Sequence, residues 1–254
     1  MKIGMLAPPW LPVPPTGYGG IELVVAQLAD GLTARGHQVM LFAPGDSQTR
    51  AALFPLVPAH VGQDYPLRMK EALQFACSHY AYARAVLEGA QLIHDHIVLA
   101  SDIDLDIPIV HTLHGPADGK NAAGVTAAEI CRQVSASGRP EFYVAISHRQ
   151  RELYGEEGIN WAGTVHNAVD LDMAPFRAEK DDYLFFIGRA NWEKGLDLAV
   201  LNEATAPDAG FEVETNRVVL LDREGGVEPV PLLPKDEVAE IILDRIAPWL
   251  EARR

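Results

Sequence analysis

Lys2-Ile3-Gly4-Met5-Leu6-Ala7, then Pro14-Pro15-Thr16-Gly17-Tyr18-Gly19-Gly20 and the apolar run after it, is the stretch that decides the fold. The first six residues read as a buried strand. Ile21, Val24, Val25, Leu28 and Leu32 recur at helical spacing, so 21–35 reads as a helix with one apolar face, and Gly36 suits its C′ position. Residues 8–20 between them are too rich in proline to be helical. A glycine-rich turn there presents free backbone N–H groups at the positive end of a helix, a ready anion site. Glycine also lets the backbone approach a phosphate or a sugar with no Cβ in the way. The competing reading is a plain strand-to-helix turn that binds nothing. The spacing is not G-x-G-x-x-G, so a dinucleotide site is not indicated.

Gln38–Ala43 follows as a second strand and closes a βαβ unit, whose crossover should be right-handed. Residues 51–58 carry Pro55 and Pro58 and suit an edge strand. A long helix is expected over 66–88, with Met69, Leu73, Ala76, Tyr80 and Ala83 on its apolar stripe. Strands are expected over 91–96, 107–113, 141–146 and 164–167, and helices over 125–136 and 148–156, the latter N-capped by Ser147. This order gives an α/β fold: a Rossmann-like open, mostly parallel sheet with helices on both faces. Ligands of such sheets sit beyond the carboxyl ends of the strands. The glycine loop, His94-Asp95-His96 and His111–Gly115 all fall at such ends and should line one cleft. After residue 180 the expectation is a strand at 182–187, a hairpin through Glu224-Gly225-Gly226 and an amphipathic helix over 235–252. A lone hairpin and helix are marginal, so this tail is expected to dock on the first domain and extend its layer.

Composition narrows the function classes. The 254 residues allow one large domain or two small ones. A formal net charge of −14 argues against nucleic acid or an anionic membrane as a general partner, without excluding a local basic pocket. Cys77 and Cys131 have neither metal-ligand spacing nor the density of a disulfide framework, so a reducing cytoplasm is the default. No leader and no membrane-length apolar run is visible.

Several short motifs occur in one order: Gly17-Tyr18-Gly19-Gly20, the helix ending Leu32-Thr33-Ala34-Arg35-Gly36-His37, His111-Thr112-Leu113-His114-Gly115, Val144-Ala145-Ile146-Ser147, His166-Asn167-Ala168-Val169-Asp170, and Phe186-Ile187-Gly188-Arg189 with Glu193-Lys194-Gly195. Each is weak alone; the ordered set is specific. On these residues the stretch 1–200 resembles the retaining GT-B glycosyltransferases of family 4. The resemblance implies a GT-B N-terminal-type domain and transfer of a sugar, with retention, from a nucleotide diphosphate sugar to a small-molecule or glycan acceptor. It implies Arg189 and Lys194 as the clamp on the donor diphosphate, Gly19 and Gly20 approaching it from the other domain, and His114 as the catalytic residue near the donor sugar. A guanidinium fork and an ammonium suit a developing diphosphate. The resemblance implies no cofactor and no metal.

The tail departs from that family. About 60 residues follow Lys194, and the glutamate-rich E-x7-E motif of the family's donor domain is not found; Glu237 and Glu240 are wrongly spaced. Instead Lys194–Glu203, Gly210–Val218, Leu232–Ala239 and the closing helix resemble the end of bacterial phosphopantothenoylcysteine synthetase, which makes the chain a suspected hybrid. The expected domains are 1–175, the acceptor-side domain, and 176–254, a shortened C-terminal segment. The alternative to an active transferase is a non-catalytic binding module or assembly protein built from half a GT-B enzyme. A homodimer and a peripheral membrane contact are left open.

Other constellations are weaker. His94 and His96 share one strand face while Asp95 points to the other, a poor metal site. His111 reads as a hydrogen-bonded histidine at the sheet edge. Asp102, Asp104 and Asp106 alternate with apolar residues and suit an acidic solvent face, and Asp170 and Asp172 suit turn caps. No G-x-S-x-G elbow occurs.

Overall fold

The computed structural model describes residues 1–62, 64–97, 105–168, 170, 198–202, 208, 213–222 and 226–251. The expected strand at 182–187, the turn at 191–195, Arg189, Lys194, Asp102, Asp104 and Asp172 lie outside these residues. The chain divides into two compact units, Met1–Met173 and Ala174–Arg254.

The first unit is the expected α/β sheet. Its strands are β1 (Lys2–Leu6), β2 (Gln38–Ala43), β3 (Ala52–Pro55), β4 (Leu92–Asp95), β5 (Ile109–Leu113), β6 (Glu141–Ala145) and β7 (Trp161–Thr164). They form one sheet in the order β3-β2-β1-β4-β5-β6-β7, and every pairing is parallel. β3 lies at one edge, where its proline is tolerated. The order reverses between β1 and β4, and that switch point is where such sheets open a crevice at their carboxyl ends.

Among the described residues, four helices accompany these strands: α1 (Gly20–Ala34), α2 (Leu67–Leu87), α3 (Ala127–Ala136) and α4 (His148–Tyr154). Val25, Ala26 and Ala29 of α1 pack on Met5, Val39 and Leu41, one face of the sheet. Ala81, Tyr82 and Ala85 of α2 pack on Leu6, Met40, Phe42, Ile93 and Ile109, the other face. Ala128, Cys131 and Val134 of α3 pack on Leu113 and Tyr143, which share the parity of Ile109 and therefore the α2 face. Gly36 ends α1 at φ +85, the left-handed conformation its C′ position requires. Thr126 and Glu129 close a capping box on α3, and the Ser147 side chain accepts from Gln150 N on α4.

Two sequence expectations change. α2 does not bury the stripe through Met69 and Tyr80, which are 57% and 47% exposed. It buries Cys77, Ser78, Ala81, Tyr82 and Ala85, because the small residues let the helix approach Gly4 of β1 and the Tyr82 hydroxyl reaches a buried carboxylate. β7 begins at Trp161 rather than Thr164, since Trp161 pairs with Tyr143 and packs edge-on against Tyr154.

The second unit holds β8 (Leu198–Asn202), β9 (Thr215–Asp222), β10 (Val227–Pro234) and α5 (Lys235–Glu251). The hairpin and the amphipathic helix are as expected. β8 lies within the Lys194–Glu203 stretch; it pairs antiparallel with β9 and gives a three-stranded sheet of order β10-β9-β8. These three strands pair only with one another. Val218, Leu220, Val230 and Val238 form a core within this unit.

Candidate functional site

The site is built at the carboxyl ends of β1, β4 and β5. The loop leaving β1 is anchored: Val13 N donates to Ser47 Oγ at 3.0 Å, Gln48 N donates to Val13 O at 2.7 Å, and Gly62 N donates to Trp10 O at 3.0 Å. Trp10 and Val13 are buried, whereas Gly17, Tyr18 and Gly20 are exposed. The two predicted glycines differ. Gly19 is buried, and a Cβ there would stand 2.6 Å from Pro15 Cβ. A Cβ on Gly20 would meet nothing within 4 Å. Gly19 is therefore required by the loop itself, while Gly20 leaves open space at the helix end. Gly19 is the N-cap and supplies no side-chain hydrogen bond. Glu22, buried in the first turn, lies 3.1 Å from that same Gly19 Cβ position, and burial raises its pKa. The sequence reading passed over Glu22; its place in the first turn was the available signal.

Alternation along β4 and β5 sorts the polar residues onto two faces. On the α1 face stand His94, His96, Thr112 and His114. His94 Nε2 shares a hydrogen bond with Thr112 Oγ1 at 2.8 Å, and His96 Nδ1 shares one with His114 Nε2 at 2.9 Å. The His94 and His96 rings stack with centroids 4.4 Å apart, those of His96 and His114 at 5.2 Å. His96 N donates to Leu6 O at 3.1 Å, which ties this row to the end of β1 at the switch point. Burial pushes His94 and His114 down to about 4 and holds His96 well below the ordinary value, so all three rings are neutral at pH 7.

On the α2 face lies a charged row. Tyr82 Oη donates to Asp95 Oδ2 at 2.5 Å, and His111 stands between Asp95 at 3.6 Å and Glu141 at 3.0 Å. Arg139 Nη1 is 3.4 Å from Glu141. Burial disfavours the His111 imidazolium, but the two carboxylates outweigh it and raise its pKa to about 9. His111 is thus not at the sheet edge as its sequence suggested; it is 1% exposed, on a strand with a neighbour on each side.

His114 is held from a third direction. Gln150 Nε2 donates to Leu113 O at 3.1 Å and Gly115 O at 3.0 Å, while its Oε1 accepts from Ile146 N at 2.9 Å. Gln150 was not singled out from sequence, because its reach from α4 to the β5 loop is a tertiary contact. Among the predicted residues, then, Gly19, Gly20 and His114 come to one edge of one sheet. Arg189 and Lys194 lie outside the described residues.

The Glycosyltransferase Family 4 profile matches residues 18–173, and that of the DNA/pantothenate metabolism flavoprotein C-terminal domain matches 167–250. A curated cysteine/cysteine sulfinic acid decarboxylase from an unknown prokaryotic organism is 37% identical over 100 residues, covering 36% of this chain and 28% of that protein. Among solved structures, AviGT4, a glycosyltransferase involved in avilamycin A biosynthesis, is similar at 23% identity and a TM-score of 0.41, over 68% of this chain and 43% of its own. The C-terminal domain of the coenzyme A biosynthesis bifunctional protein CoaBC is similar at 18% identity and a TM-score of 0.26, over 99% and 98%. The chain thus spans less than a third of the curated relative and less than half of the glycosyltransferase structure. With residues 18–173 matched, more than half its length, this chain belongs to Glycosyltransferase Family 4, and it joins that domain to a stretch similar to the flavoprotein C-terminal domain.

Proposed function

We propose that this protein transfers a sugar, with retention, from a nucleotide diphosphate sugar to a hydroxyl-bearing acceptor. The observation that carries the reading is the row of neutral histidines ending in His114 at the switch point, on the sheet edge that also carries the uncapped α1 N-terminus. Neutral imidazoles suit contact with sugar hydroxyls, since they hydrogen-bond without drawing a counter-ion. The exposed Gly20 leaves room for a diphosphate against the α1 N-terminus. Arg189 and Lys194 would bind the donor diphosphate, and His114 would face the donor sugar. Titration calorimetry with a panel of nucleoside diphosphates tests the reading. At least one should bind, and Arg189→Ala or Lys194→Ala should weaken it at least tenfold. If no member of the panel binds, the reading fails.

A second reading has its own support. Arg189 and Lys194 fall within residues 167–250, matched by the flavoprotein C-terminal domain profile, and beyond residues 18–173, matched by that of the glycosyltransferase family. On that basis the first unit would act as a binding module without turnover. A coupled assay for release of nucleoside diphosphate separates the two: binding without release favours the module.

A further inference from the structure

The hydrogen bond between His96 and His114 joins two neutral rings, so one nitrogen must donate and the other accept. The choice is decided at the far side of His96. Its Nε2 is fully buried and has no hydrogen-bond partner among the described residues. If that nitrogen carried the proton, a donor would be buried unsatisfied, a rare and costly arrangement; a bare lone pair there is the milder exception. The proton on His96 therefore sits on Nδ1 and is donated to His114 Nε2. His114 must then carry its own proton on Nδ1, the nitrogen that His96 leaves available.

The ring of His96 cannot turn to escape this assignment. It is 2% exposed, stacked between His94 and His114, and its backbone is pinned to Leu6. We propose that His96 is a positioning residue that locks His114 in the Nδ1–H tautomer, so that His114 meets its ligand as a hydrogen-bond donor and not as a base. Within the sugar-transfer reading, on which the ligand's identity rests, the oxygen His114 Nδ1–H would hold belongs to the bound sugar or acceptor.

The test uses the full chain, unliganded, labelled with nitrogen-15 in histidine. Long-range proton–nitrogen correlation spectra distinguish protonated from bare ring nitrogens, and His114→Asn and His96→Asn assign the signals. In the parent chain, His114 should show a protonated Nδ1 and a bare Nε2, and His96 likewise. A protonated Nε2 on His114 overturns the proposal. His96→Phe keeps a stacked ring but removes the donor, and should let His114 relax to a mixture of tautomers; an unchanged His114 also overturns it. His96→Asn returns an amide N–H near the place of Nδ1 and should keep His114 in the locked form, a rescue that packing alone does not predict. The parent spectrum and the His96→Asn variant decide the matter even if His96→Phe does not fold. Because no ligand is present, these spectra are independent of the calorimetry above.

Discussion

His111 lies between two buried carboxylates and keeps its proton to about pH 9, against an ordinary value of 6.5. Its stabilising contribution is complete below about pH 6.5 and is lost as the pH rises through 9. His94 and His114 run the other way. Burial holds them neutral down to about 4, so their contribution is present above 6.5 and is lost as the pH falls toward 4. The thermal midpoint of the first unit should therefore peak near pH 6.5 and drop on both sides; a level midpoint from 6.5 to 9 would contradict the charged row. Replacing His111 by Gln leaves Asp95 buried without its cation and Glu141 with Arg139 alone. It should cost on the order of 3 kcal/mol in denaturant unfolding and flatten the alkaline limb of the pH profile.

At the scale of elements, the β1–α1 junction and the β1–α2 contact carry the sharpest tests. Gly19→Ala drives a Cβ into Pro15, so the loop must move, and both stability and nucleotide affinity should fall. Gly20→Ala meets only open space and should leave the unfolding midpoint within about 0.5 kcal/mol of the parent. If it nonetheless weakens nucleoside diphosphate binding in calorimetry, ligand approach is the reason for that glycine. Gly4→Ala brings a Cβ to 2.9 Å from Ala85 Cβ and should cost about 1–3 kcal/mol by forcing α2 away from β1. The face of α2 was not legible from its periodicity. Its apolar residues are spread around the helix, and what selects a face is contact with Gly4 and with Asp95, both remote in sequence.

For the whole molecule, the consequence of two cores is two unfolding events. The first unit's core and the cluster of Val218, Leu220, Val230 and Val238 share no residue. Scanning calorimetry of the full chain should resolve two transitions, and Val238→Ala should lower one of them, by about 2 kcal/mol, while leaving the other in place. A single transition that moves as a whole would show that the units unfold as one. The order of elements, the parallel sheet, the placing of the glycine loop and His114 at strand ends, and the likeness to two families could all be read from the chain. Those are properties of local periodicity and short motifs, which neighbouring residues fix. What only the tertiary structure decided was the partner of each polar group. Asp95, His111 and Glu141 form one charged row on the α2 face, and His94, His96 and His114 form a neutral row on the α1 face. That separation depends on the register of β4, β5 and β6, strands far apart in sequence, and on which side of the sheet each helix comes to rest.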